Sequence, residues 1–338
     1  YNHDEKFNFY DVTIKYDQKI GKKDRFILDL ITINDQLKVD HSAVTSINLL
    51  VGSNRIYQKN YGGNFSWSHQ WNSKNSSHIS SYSSFYELDA ENSNSQSNQN
   101  TMQENSVLDN GIKIENHHKL NSKIIFSNGY QLNEIGISAL DEINSPQFYK
   151  LKKDVLQTHC IILELQYNDT ISKINCSIGL RSNYTKQFNK YLLEPRLQFN
   201  YGISKSLNFS ILGEFKSQNC VQIIDLQKDY FGVEKRRWQL ADDGSIPVQK
   251  SKQIAVNLTY SKKDWLFSFE NFYKTVDGIS SSSQGFQNQL EFVKTNGSYT
   301  VWGTEMLLQK RINHFVSWLS YSFNNNTYHF PTIDQSTF

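Results

Sequence analysis

Few side chains in this sequence have the types and spacing that covalent or metal chemistry requires. His117 and His118 are adjacent. In an extended chain successive side chains point to opposite faces, so the two imidazoles cannot close on one ion. His69 stands two residues from both Trp67 and Trp71, an arrangement suited to the boundary between an apolar layer and water. Cys160, Cys176 and Cys220 are odd in number and at no metal-ligand spacing. Folding the chain about Asp169 and Thr170 would place Cys160 near residue 179, away from Cys176. No G-x-S-x-G, H-E-x-x-H, phosphate loop or dinucleotide fingerprint occurs. We therefore expect no catalytic centre, no metal and no cofactor.

Recognition chemistry has better candidates. Tyr230, Phe231, Arg236, Arg237 and Trp238 crowd into one long connection, residues 219–251. Rings and guanidinium groups there could meet an anionic or ring-bearing ligand. Equally, Trp238 and its neighbours could fold back and hold the loop together. A second set, Arg181, Glu194, Arg196, Glu214 and Lys216, lies on the polar side of alternating segments. These charges could line a solute path or pair with one another.

The elements that must position these residues are strands. From Leu193 to Ile203, Leu193, Pro195, Leu197, Phe199 and Tyr201 alternate with Glu194, Arg196, Gln198, Asn200 and Gly202. The same period of two recurs from Tyr10–Val12–Ile14–Tyr16 to Trp265–Phe267–Phe269–Tyr273. One segment is less pure, because Ile27, Ile31 and Ile33 lie opposite Phe26, Leu28 and Leu30. The pattern predicts strands over 7–17, 24–34, 61–71, 77–88, 107–118, 122–133, 157–168, 172–185, 191–204, 206–218, 252–261, 264–275, 297–309 and 313–325. Most have about ten residues or more, which exceeds the ~5–6 usual in soluble sheets and matches the ~9–11 that a tilted strand needs to cross hydrocarbon.

The connections alternate in length. Short ones fall at one end of each hairpin, while 35–60, 89–106, 134–156, 219–251 and 276–296 read as long loops, with 186–190 a short exception. Short turns on one rim and long loops on the other describe an antiparallel transmembrane meander. Its backbone polar groups must all be paired inside hydrocarbon, which only a closed sheet achieves. We therefore expect an all-β, antiparallel up-and-down transmembrane β-barrel, with about fourteen strands of a larger one present.

Composition agrees. The chain is 38% hydrophobic and 14% aromatic, without the long apolar run of a membrane helix. Its net charge of +2 comes from 35 basic and 33 acidic residues with no basic cluster. Nucleic acid is excluded as a partner on that ground.

Particular phrases carry a resemblance. Gly179-Leu180-Arg181 on one strand followed by Leu193-Glu194-Pro195-Arg196 on the next, with a loop after Gln218, resembles the barrel of TonB-dependent outer-membrane receptors, particularly of the Bacteroidetes type. "RRWQLADDGSIPVQKSKQIAVNLTY" and "FENFYKTVDGIS" are also similar to that family. The resemblance implies a fragment: residues 1–338 as part of one barrel domain, with the plug, the TonB-contact motif and the terminal strands outside them. It also implies residence in the outer membrane of a Gram-negative bacterium and uptake of a scarce solute such as chelated iron, a cofactor or an oligosaccharide. The partners would be outer-membrane lipid, the small solute, and TonB through the missing plug region. Lumenal charges would then pair with the plug as well. The alternatives are a plug-less outer-membrane channel and a soluble β-rich binding or adhesion module.

Overall fold

The structure is a computed structural model that describes residues 2–44, 49–95, 97–224, 236–242, 244–281 and 295–331. Its first ten strands are β1 (Asn2–Ile20), β2 (Asp24–Val44), β3 (Leu49–Gln70), β4 (Asn75–Asn94), β5 (Gln99–Lys119), β6 (Ile124–Ile143), β7 (Phe148–Asp169), β8 (Ile174–Thr185), β9 (Lys190–Gly202) and β10 (Leu207–Gln218). A short hairpin follows, β11 (Cys220–Ile224) with β12 (Arg236–Leu240). The chain then runs through β13 (Gln249–Lys262), β14 (Trp265–Ser280), β15 (Asn296–Ile312) and β16 (Phe315–His329). Fourteen strands form one antiparallel sheet in the order β1 to β10, then β13 to β16, with β1 and β16 at its edges. All neighbours in the sheet except β10 and β13 are also neighbours in sequence, the up-and-down meander that the alternating connections predict.

The register sorts the side chains. Tyr201 pairs with Phe209, Phe209 with Leu258, Leu258 with Phe269, Phe269 with Met306 and Met306 with Tyr321, so one row of apolar groups crosses six strands on one face. Many residues on that face are open to solvent in the isolated chain, including Ile161, Leu165, Ile178, Leu193 and Ile254. Such a wall needs an apolar medium. At its short-turn edge, Lys310 lies 4.5 Å from the centroid of the Trp265 ring. There too Asp24 accepts hydrogen bonds from Trp67 Nε1 (2.8 Å) and pairs with His69 Nδ1 (2.7 Å). Trp and Lys at that level suit a lipid headgroup interface.

The belt drifts along the rows. Tyr16 marks its short-turn edge on β1, and the same row runs through Leu28, Phe65, Ser81, Ile112, Leu132 and His159 to Tyr184, at the opposite edge on β8. Strands that tilt against a horizontal apolar layer produce this stagger.

Beyond the belt the faces exchange character, and here the structure corrects the expected loops at 35–60, 89–106 and 134–156. Strands β2 to β7 continue through most of these segments as long hairpins, joined at 45–48, 95–98 and 144–147. On β3 and β4 the outward side chains become charged: Lys59 pairs with Glu87 at 2.5 Å and Asp89 at 3.3 Å, and Arg55 with Glu91 at 3.3 Å. Their inward side chains include an apolar set, with Ile56, Leu88 and Ala90 packed as one buried cluster and Tyr86 against it. A reading that follows one apolar face in phase loses these strands, because the phase inverts where lipid gives way to water. The polar run from Ala90 to Ser106 is therefore the two arms of a hairpin rather than a loose loop.

Two smaller corrections concern the middle of the chain. The β7–β8 hairpin pivots two residues later than expected, pairing Cys160 with Asn183 and Cys176 with Tyr167. Cys160 is thus buried on the inner face while Cys176 lies on the apolar one, and all three cysteines are free. The connection 219–251 contains the two-stranded ribbon β11–β12, which alternation alone did not mark.

Candidate functional site

The β11–β12 ribbon folds back over the inner wall at the mouth, where β12 leans on β5, β6 and β7. Three features hold it. Trp238, Leu240 and Cys220 pack with Val107, Ile135, Ile137, Leu156 and Phe188. Asn105 serves as a substitute strand partner: its Oδ1 accepts from the Trp238 N–H at 2.7 Å and its Nδ2 donates to the Trp238 carbonyl at 3.4 Å. The Arg237 guanidinium donates two hydrogen bonds to Asp141, at 3.1 and 2.6 Å. Burial pushes the Cys220 thiol up to about 12, with the Asp109 charge adding to the effect.

Between ribbon and wall lies a cavity of about 560 Å³, open on one side. Tyr86, Val107, Ile135 and Trp238 give it apolar and aromatic surface, and Gln58, Ser84, Gln222, Cys220 and Asp109 give it polar groups. This size and mixture suit a small organic solute. Asp109 is positioned by a chain of hydrogen bonds: Asn133 Nδ2 donates to the Tyr82 hydroxyl, which donates to Asp109 Oδ1 at 3.1 Å. Gly111 pairs directly with Tyr82, and a Cβ there would stand 2.6 Å from the ring's Cζ. The glycine lets the ring lie flat across the strand, which aims the hydroxyl along the wall at Asp109.

The structure divides the residues expected from sequence into separate groups. Tyr230 and Phe231 lie outside the described residues. Arg236 pairs with Ile224 in the ribbon. Arg237 and Trp238 fold back and anchor the ribbon, the second of the two uses left open by the sequence. On the wall below, Glu194 is buried, with Arg181 Nε and an Arg196 terminal nitrogen each 3.8 Å from its carboxylate. Arg181 Nε also donates to Asn183 Oδ1 at 2.9 Å.

Glu194 has a structural task besides. The β9–β10 ladder stops at Arg196 and Glu214, and beyond it Glu194 Oε1 accepts from the Ser217 N–H at 2.8 Å and hydroxyl at 2.6 Å. Glu214 pairs with Lys216 at 2.7 Å and accepts from Gln253 Nε2 at 2.6 Å. These five charges all face inward, as the alternation predicts, and they pair largely among themselves.

Asp109, Tyr82, Asn105 and Asp141 were not singled out from sequence. For Asp109 a signal existed: it stands opposite in phase to Leu108, Ile112 and Ile114, so it had to face inward. His117 and His118 do point to opposite faces, the first pairing with Ser127 Oγ at 2.8 Å and the second with Asn75 Oδ1 at 2.9 Å.

No protein-family model matches the sequence, and no curated protein matches it. Solved structures do match. The RagAB peptide importer in its closed-closed state superposes with a TM-score of 0.63 at 9% identity, over 96% of this chain and 47% of that one. The ferric citrate transporter FecA in its unliganded form gives 0.61 at 10% identity, over 96% and 57%. The outer membrane transporter YddB from Escherichia coli gives 0.58 at 8% identity, over 96% and 55%. The chain thus spans about half the length of these structures. At such identities the likeness is one of fold. The fold is the wall of an antiparallel up-and-down transmembrane β-barrel, and its neighbours are transporters.

Proposed function

We propose that residues 1–338 are part of the barrel domain of a TonB-dependent outer-membrane receptor in a Gram-negative bacterium, of the Bacteroidetes type that the sequence phrases resemble, with the plug lying outside them. Its function is to take up a scarce solute, with chelated iron, a cofactor or an oligosaccharide as the classes the resemblance implies, using energy delivered through TonB. The observation that carries this reading is the exchange of face character along β2 to β7. It is clearest on β3 and β4, whose outward groups are apolar within the belt and charged above it, where Lys59 meets Glu87 and Asp89. A soluble sandwich has no reason to reverse its buried face partway along a strand. A strand leaving lipid for water does.

In this reading the charged half of the hairpins stands outside the cell, and the ribbon with its cavity faces arriving solute. Asp141 and Asn105 of the wall fix the ribbon through Arg237 and Trp238, so that solute meets a preformed surface rather than a loose loop. Plug and TonB then act on a solute already held.

The test is uptake by cells. Growth medium would be compared by mass spectrometry between strains with and without the full-length protein, each with and without TonB. Depletion of one solute that requires both proteins is expected. Depletion that requires this protein and not TonB would instead indicate a passive channel, and an equally depleted medium in all strains would contradict transport.

A further inference from the structure

We infer that the cavity beneath the β11–β12 ribbon takes a cationic solute, one that carries an ammonium or guanidinium group beside an aromatic or apolar body. The inference rests on the proposed uptake function and names the substrate class of its outer site.

The charge of the cavity decides the class. Among the described residues that line it, Asp109 is the one carboxylate, and none is Lys, Arg or His. Among the described residues no cation pairs with Asp109, whose partners are the Tyr82 hydroxyl on Oδ1 and the Asn133 side-chain amide, both neutral. The nearby cations are engaged elsewhere. Arg237 is fixed by two hydrogen bonds on Asp141 and is only 7% exposed, and Arg181 is held by Asn183 and Glu194. An anion entering here would meet a carboxylate and no compensating charge. A cation would meet that carboxylate and two electron-rich rings, Tyr86 and Trp238.

The remaining lining fits the same ligand. Gln58 and Gln222 offer amide groups that can accept further N–H donors, while Val107 and Ile135 accommodate the apolar body. A volume of about 560 Å³ holds a solute of several rings or a short oligomer. The ligand expected from Arg236 and Arg237 by sequence alone was anionic or ring-bearing. The geometry keeps the ring and reverses the charge.

The experiment measures binding of three probes of matched shape to the full-length protein, extracted from outer membranes in detergent, by calorimetry at pH 7. The probes are 1-naphthylmethylamine, which is protonated, 1-naphthalenemethanol, which is neutral, and 1-naphthaleneacetate, which is anionic. The amine is expected to bind about tenfold or more tightly than the alcohol, and the acetate more weakly than both. In Asp109→Asn the preference for the amine should vanish, and in Trp238→Ala all three should weaken together. Equal or tighter binding of the acetate by the unaltered protein would overturn the inference, as would binding of none of the three. These comparisons do not depend on the variants folding. An amine preference that survives Asp109→Asn would also overturn it. Failure of the uptake reading is separate: cells would then show no depletion of any solute while purified protein still preferred the amine.

Discussion

The Arg237 guanidinium of the ribbon and the Asp141 carboxylate of the wall, 96 residues apart in sequence, meet in a forked contact of 3.1 and 2.6 Å. Both groups are largely buried, with 9% and 17% of their side chains exposed. A pair in this setting is costly to break singly, about 3–5 kcal/mol, because the remaining charge stays desolvated. Arg237→Ala should therefore release the ribbon. The readout is Cys220, which is half-buried between ribbon and wall and whose thiol is pushed up to about 12 while the ribbon is docked. Maleimide labelling of the peptide that carries Cys220 should be slow in the parent protein and at least tenfold faster in the variant.

The faces of β10 predict opposite responses to one charge. Ile211 pairs with Phe199 and Val256 on the apolar face, and Ser210 with Asn200 and Asn257 on the polar one. Ile211→Arg should cost roughly 2–4 kcal/mol in a bilayer, and Ser210→Arg should cost little. Urea titration of the protein in liposomes reads the difference. Equal costs would count against the assignment of faces.

Glu194 supplies the acceptor that β10 loses when its ladder to β9 ends. Removing it in Glu194→Ala leaves the Ser217 N–H without that partner and should cost about 1.5–3 kcal/mol, the worth of hydrogen bonds to a charged group. Hydrogen exchange at the Ser217 amide should rise accordingly, with little change at Ser210.

An acid dependence follows from Asp169 at the short-turn rim. Its carboxylate is held well below the usual range chiefly by Lys123 at 2.8 Å, against the opposing effect of burial, with Ser172, the Ile171 N–H and the Tyr167 hydroxyl adding to the lowering. A lowered folded value means that the contribution is fully present above the unfolded carboxylate's titration near pH ~4 and is lost as pH falls through the folded value. Thermal unfolding followed from pH 6 down to pH 2 should show this loss at the acid end, and Asp169→Asn should flatten it.

How much of this was readable in advance depends on distance along the chain. Strict alternation around Phe199 and Phe269 follows from a single physical demand, one face to lipid and one to water, and it placed all fourteen strands of the sheet. Above the belt the demand reverses, so Ile56, Ala90 and Ile137 stand inward where a polar residue was expected, and the hairpin arms they belong to read as loops. The inward direction of Glu194 and Glu214 was legible because it is local. The meeting of Arg237 with Asp141, or of Asn105 with Trp238, was not, because neither pair is set by spacing and each requires the ribbon's path across the mouth. The character of the cavity depended on those meetings, since Arg237 would attract an anion if Asp141 did not engage it.

One face of this sheet meets lipid within a belt and water beyond it. A nitroxide placed in turn at each position from Leu207 to Phe215 and from Gln103 to Ile112, in the protein within outer-membrane vesicles, tests it directly. Accessibility to oxygen against a water-soluble nickel chelate should alternate with period two along 207–215, with Phe209, Ile211 and Gly213 on the oxygen side. Along 103–112 the oxygen signal should be confined to Leu108, Asn110 and Ile112 and give way to the chelate at Glu104 and Ser106. Chelate access to both faces throughout, or an oxygen signal that persists at Glu104, would contradict the account.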